Sequence, residues 1–194
     1  MTTPIIWNNK NKNYRSKEYF NLKTQIDTNI MRGTVILLLN DIPALITYVI
    51  ITDANWRTRS VKIKQQALSN QTRSIYLEVD QDHNWRKNIM EQSSDSPVVL
   101  DLASGLIDVD LQITPSTNTL PINRLELKKG ESRKIDVLWI SFPDLTLGRQ
   151  QQEYRKIDER FYMFEIPSID FFARLEVDKF GLIVNYDNLW HRVS

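Results

Sequence analysis

About ten short stretches of this chain, spaced roughly 8–12 residues apart, alternate polar and apolar side chains or run apolar for a few residues, and no long helical period runs through it. Arg73 to Asp80 shows the alternation, with Ile75, Leu77 and Val79 on one face and Ser74, Glu78 and Asp80 on the other. Thr34 to Leu39 and Lys134 to Phe142 are apolar on both faces, as strands covered on both sides are. Turn sequences separate such runs, among them Asn40-Asp41-Ile42-Pro43, Lys128-Lys129-Gly130-Glu131 and Asp178-Lys179-Phe180-Gly181, whose glycine sits where a positive φ is needed. Val98 to Leu102, Phe161 to Ile166, Phe171 to Val177, Leu182 to Tyr186 and Leu189 to Val193 read as further strands. Leu145 to Tyr154 reads as a polar connection, and Lys87 to Ser96 suits a loop as well as a short helix. The pattern predicts an all-β, mainly antiparallel sheet that curls on itself, with few short helices.

The chain is organised around Gly105 to Leu125. Ile107, Val109, Leu111 and Ile113 share one strand face, and Asp108, Asp110 and Gln112 share the other. Pro115 and the hydroxyl and amide side chains after it cannot continue the ladder, so Thr114 to Thr119 reads as an ordered turn and about Leu120 to Leu127 as a returning strand. In that hairpin Val109 faces Leu125 and Arg124 faces Asp110; a two-residue slide hands Arg124 to Asp108.

This stretch, T-P-S-T-N-T-L-P-I-N-R-L after D-V-D-L, resembles the signature of the bacterial putative glycolipid-binding protein family, usually close to D-x-D-L-x-x-T-P-F-T-N-T-L-P-I-R-R-L. Ser116 stands where an aromatic is usual, and Asn123 where the first of two arginines is usual. Trp56-Arg57-Thr58-Arg59, Trp139 to Leu145 and Val177 to Val184 are similar to further motifs of that family, so the resemblance spans about Trp7 to Trp190. It implies a spiral β-roll or half-open barrel, similar in shape to the lipoprotein carriers of the bacterial envelope, and a lipid or glycolipid partner.

The 194 residues suffice for one substantial core, read as a polar lead-in over 1–17 followed by a single β-roll domain over 18–194. Basic and acidic residues number 25 and 24 and are interspersed, so the field that sequence-independent phosphate binding needs is lacking and no nucleic-acid partner is expected. Absence of cysteine excludes thiolate metal sites and a cysteine nucleophile. Met1 to Asn13 lacks the apolar run of a secretory signal, which points to a cytoplasmic protein. Ile42 to Ile51, the densest apolar run, is far short of the ~20 residues of a membrane-spanning helix. No transmembrane segment, cofactor or metal is expected.

Asp108 and Asp110 stand roughly 6.5–7 Å apart if both lie on one strand face, a spacing compatible with an inverting glycosidase pair. Arg124 beside them would keep both ionised, whereas a general acid needs a raised pKa, so we read Asp108, Asp110 and Arg124 as a structural ion pair. His83 and His191 are not in ligand spacing, and no nucleophile elbow or phosphate loop is present. Candidate ligand contacts are the aromatics Trp56, Trp85, Trp139 and Tyr162, with Phe164 and Phe172 as further cavity candidates, together with Asn118, Arg124 and Arg59. On the strand Trp56 to Lys64, Arg57 and Arg59 share a face with Val61 and Ile63, so one of them must end inside or at a rim, paired to a carboxylate or a ligand. The function expected is non-catalytic binding of a lipid or glycolipid in the concave face of the sheet. One alternative is a hydrolase acting on a glycan or lipid through Asp108 and Asp110; a second is an interaction module with a filled core.

Overall fold

The computed structural model describes residues 4–10, 15–39, 41–67, 72–88 and 98–193. Its strands are β1 (Ile5–Asn9), β2 (Ser16–Thr24), β3 (Thr28–Leu39), β4 (Ile42–Asp53), β5 (Thr58–Ala67), β6 (Thr72–Val79), β7 (Trp85–Asn88), β8 (Val98–Val99), β9 (Asp108–Leu111), β10 (Ser132–Ile140), β11 (Leu147–Lys156), β12 (Phe161–Ile166), β13 (Phe171–Val177), β14 (Ile183–Tyr186) and β15 (Trp190–Arg192). One short helix, α1 (Thr119–Leu125), follows a 3₁₀ turn at Ser116–Asn118.

All fifteen strands among the described residues belong to one sheet, in the order β8 to β1, then β15 to β9. Neighbours run antiparallel except β9 and β10, which are parallel. The two ends of the described chain therefore meet mid-sheet, where Trp7 pairs with Arg192. The two sheet edges, β8 and β9, are neighbours in sequence. Residues 100–107 pass from one edge to the other: Leu100 N–H donates to Trp85, Gly105 N–H to His83, and Ile107 accepts from Thr58 N–H. The sheet is thus curled upon itself, as the strand spacing implies, without closing into a barrel, as the family resemblance implies.

Several local expectations change. Ile5–Asn9 lies in the expected polar lead-in but is a strand, because Ile5 and Trp7 alternate inward and both are buried, with Trp7 Nε1 donating to Ile183 O at 2.8 Å. The expected returning strand from Leu120 to Leu127 is the helix α1, and β9 takes β10 as its partner instead. Pro121 explains why: in the first turn of a helix the missing N–H costs nothing, whereas in a strand it breaks the ladder. Leu147–Lys156 is a strand, not a connection, its inward row of Gln150, Gln152 and Tyr154 being polar where a core row is usually apolar. Past Val99 the chain turns into a 3₁₀ helix at Asp101–Ala103 instead of extending to Leu102. Of the unassigned stretch 87–96, Lys87 and Asn88 belong to β7, and 89–96 lies outside the described residues.

On β5 a register shift opposite Ile51 and Thr52 places Arg59 in a bulge, so Thr58, not an arginine, takes the buried position. Arg59 Nη2 instead meets Asp53 Oδ2 at 2.8 Å, and Arg57 is exposed. The requirement for a pairing carboxylate is met within one turn of chain.

The interior of the first half is set by one glycine. Gly33 of β3 is flanked by Phe20 on β2 and Tyr48 on β4, and the Tyr48 ring lies across it. A Cβ built on Gly33 would stand 2.1 Å from Tyr48 Cε1. Tyr48 can thus span β3 and reach Glu18 on β2. Gly33→Ala is expected to lower stability by about 2–3 kcal/mol, read from denaturant midpoints. Gly148→Ala, whose Cβ would make an ordinary 3.7 Å contact with Trp139, is the control and should change it far less.

Candidate functional site

The chain from Thr114 to Ile122 is buried throughout, a polar segment inserted into the roll. Burial of so many hydroxyl and amide groups demands partners, and two networks supply them for all but Thr119 Oγ1, which has none among the described residues. On one side Glu18, with no exposed surface, accepts from Thr114 Oγ1 at 2.5 Å and from the Tyr48 hydroxyl. Tyr48 Oη lies 2.6 Å from Ser116 Oγ, which is 3.0 Å from Thr114 Oγ1. Burial pushes the Glu18 carboxyl up from an ordinary 4.5 to about 8, the two hydrogen bonds opposing that shift only in part. Glu18 is therefore largely protonated at pH 7, and the oxygen that carries the proton donates within this cluster. Ser116 fits where a ring would collide with this cluster.

On the other side Thr117 Oγ1 donates to Asp110 Oδ1 at 2.7 Å, and Gln152 Nε2 to Asp110 Oδ2 at 2.7 Å. The Tyr154 hydroxyl lies 2.9 Å from Asn118 Oδ1. Arg124, projecting from α1, forks onto Asp108, with Nε 3.1 Å from Oδ1 and Nη2 2.5 Å from Oδ2. The ion pair is therefore Asp108 with Arg124; Asp110 does not join it, because the helix carries Arg124 past β9 where a hairpin would have laid it alongside. Desolvation raises the pKa of both aspartates, with Arg124 opposing the shift at Asp108, and Thr117 and Gln152 opposing it at Asp110. The expectation that Arg124 holds both carboxylates ionised thus fails at Asp110. Asn123, standing where the family usually has arginine, donates to Phe180 O at 3.0 Å and holds the β13–β14 turn, whose Gly181 has φ +72°.

Beside Asp110 a cavity of about 230 Å³ opens on the inward face of β9 to β14. Rings line it from β10 to β15: Trp139, Phe164, Phe171, Tyr186 and Trp190. Phe164 stands edge-on to both Phe171 and Tyr186 at 6.1 Å. The polar wall is Asp110, Gln112, Asn118 and Gln150. Aromatic faces set against a carboxylate and carboxamides suit a compact polyhydroxylated group, which stacks its C–H face and hydrogen-bonds its rim. A larger cleft of about 600 Å³ lies elsewhere, between α1 and the β11–β14 turns, and holds Tyr162 with Lys156, Arg160, Lys179, Glu126 and Glu159. Its charges of both signs and near lack of rings favour solvent over a specific ligand.

The sequence candidates are thus dispersed. Trp139 and Asn118 reach the cavity, as does Asp110. Trp85 is fully buried, with Nε1 on Leu106 O at 2.8 Å, and Trp56 packs half-buried on the core at a turn with φ +62°. Tyr162 lines the other cleft, and Arg59 and Arg124 are committed to aspartates. Phe172 is 69% exposed; its neighbour Phe171 faces inward with Ala173 and Leu175, a parity the alternation of Phe171–Val177 already carried. Sequence reasoning also missed Gln150, Tyr186, Trp190 and the Glu18 cluster. Among the described residues no group of three or more His, Asp or Glu is placed to hold a metal. None of the described helices is long and apolar enough to cross a membrane.

Two measurements test the networks. A carboxyl with a raised folded pKa binds its proton more tightly folded than unfolded, so its contribution falls as pH rises from about 4.5 to about 8 and is flat beyond. Glu18→Gln should therefore gain on the wild type across that window, by a few kcal/mol at pH 8.5 relative to pH 5, read as the difference in melting temperature at each pH. Arg124→Ala strands the buried Asp108 carboxylate and should cost about 3 kcal/mol in denaturant titration, most of which Asp108→Asn restores in the double variant.

No protein of curated function matches the sequence. The fold matches a crystal structure of a DUF1089 family protein from Pseudomonas aeruginosa with a TM-score of 0.79, at 26% identity over 91% of this chain and 92% of that one. The family model described as "Putative glycolipid-binding" matches residues 5–192, and the chain belongs to that family.

Proposed function

We propose that the protein binds the sugar head of a glycolipid, without turning it over, in the cavity beside Asp110. The observation that carries this reading is the joining of five rings with a carboxylate and three carboxamides around about 230 Å³. That volume is below the ~300–1,000 Å³ of a drug-sized site and suits one head group. The acyl portion stays outside, because Thr114 to Ile122 fills the roll where a lipid tail would otherwise lie. Asp110 and Gln150 orient ring hydroxyls, and Trp139 and Trp190 supply stacking faces. A binding role is supported further by the carboxylate count: among the described residues Asp110 is the single acid lining the cavity, and Asp108 is held by Arg124, so none of them offers a second free carboxyl to complete an acid and base pair.

Tryptophan emission follows occupancy, since two of the five tryptophans line the cavity. Octyl β-glucoside below its micellar concentration should give a saturable change, and an octyl tetraethylene glycol ether should give none. Asp110→Asn and Trp139→Ala should each weaken the glucoside by about tenfold or more, ~1.4 kcal/mol, while remaining folded by circular dichroism. An equal response to both detergents would sink the sugar reading. Release of nitrophenol from nitrophenyl glycosides, abolished in Asp110→Asn, would replace it with a hydrolase.

A further inference from the structure

We propose that the outward face of β1 to β5, remote in role from the sugar cavity, docks on an anionic lipid surface. Strand register fixes which residues share that face. Lys17 lies in one row with Ile36, Leu45 and Gln66; Tyr19 lies in the next with Ile6 and Lys64. Arg32, Val49 and Lys62 form a third row, and Lys23 with Ile30 and Ile51 a fourth.

The charge on these rows is one-sided. Lys17, Lys23, Arg32, Lys62 and Lys64 are all exposed, and none of the five carries an ion pair or side-chain hydrogen bond among the described residues. The rows contain no carboxylate, although the chain as a whole is balanced at 25 basic and 24 acidic residues. Glu18, on the same strand as Lys17, points inward and is buried. Asp53, which ends β4 on this side beyond Ile51, is taken up by Arg59, and Glu78 on β6 holds Tyr76 and Asn88. Five uncommitted cations on four rows that hold no carboxylate among the described residues are complementary to anionic headgroups.

Apolar side chains between the cations distinguish a bilayer from other polyanions. Ile36 is 63% and Tyr19 53% exposed, and Ile6 and Leu45 are exposed beside them. An acyl–headgroup boundary rewards burial of such side chains and a lysine stem alike, whereas a nucleic-acid backbone rewards only the charge. The face is built from long paired strands and presents its side chains as a fixed array, so little order has to be gained on contact.

Co-sedimentation of the full chain with vesicles tests this. Vesicles of phosphatidylcholine containing about a quarter phosphatidylglycerol should bind at least tenfold more protein than phosphatidylcholine alone, and about 0.5 M NaCl should remove most of that binding. Lys17→Glu with Lys62→Glu should lower it by about tenfold, and so should the milder Lys17→Gln with Lys62→Gln to a smaller extent. Tyr19→Ser with Ile36→Ser should weaken binding while leaving its salt dependence in place. All these variants should bind octyl β-glucoside as the wild type does, which separates this face from the cavity. Equal binding to both vesicle types, indifference to the lysine changes, or tighter binding to single-stranded RNA with no effect of Tyr19→Ser and Ile36→Ser would overturn the proposal.

Discussion

A polar segment buried inside a roll must bring its hydrogen-bond partners with it, and the rest of this structure follows from that constraint. An unpaired buried hydroxyl or amide costs about 1–3 kcal/mol, and the segment from Thr114 to Asn118 buries several. Its partners come from strands far apart in the sheet: Glu18 of β2 and Tyr48 of β4 on one side, Asp110 of β9 and Tyr154 of β11 on the other. Tyr154 and Asp110 meet it from strands of the second half, and Tyr48 from the first, so the segment ties the two halves of an open sheet together. Glu18 fits this role as a neutral acid, since an ionised carboxylate with no cation beside it would cost far more than it returned.

That tie also explains the sheet's ends. A fifteen-stranded sheet that does not close leaves two edges, which in most proteins need protection from other strands. Here β8 is only two residues long, and β9 only four, and the chain between them laps one edge onto the other through Thr58, His83 and Trp85. The parallel pairing of β9 with β10 is a consequence, because a chain arriving from the far edge enters beside β10 in the same direction that β10 runs.

Most of the fold was legible in the sequence because two-residue alternation reports burial directly; Phe161–Ile166 and Phe171–Val177 coincide with their strands residue for residue. The failures have two causes. Leu147–Lys156 was unreadable as a strand because its inward row is polar, and Thr119–Leu125 was unreadable as a helix because seven residues are too few to show a period. Pro121 was the available signal there, and it argues against a central strand. Arg124 was rightly drawn to the aspartates, yet by way of a hairpin that does not form, and only Asp108 receives it. Trp139, Asn118 and Asp110 do converge on the cavity, whereas Trp85 and Trp56 are core and turn residues; a tryptophan's type does not say which side of a sheet it faces.

Where local pattern and fold disagree in this way, the disagreement itself locates the site. A strand whose inward row reads Gln150, Gln152, Tyr154 could bury only if something polar lay opposite, and what lies opposite is Asp110 with Asn118. Two apolar rows would have packed there at lower cost, so stability does not account for the choice. The carboxamides are held in place by one another, Gln152 Nε2 lying 3.1 Å from Gln150 Oε1, which leaves the Gln150 amide N–H groups without a partner among the described residues on the cavity wall. On the binding role proposed above, the Gln150 donors held beside the desolvated Asp110 carboxyl meet ligand hydroxyl groups with little loss of side-chain freedom, and that preorganisation is what the polar strand contributes.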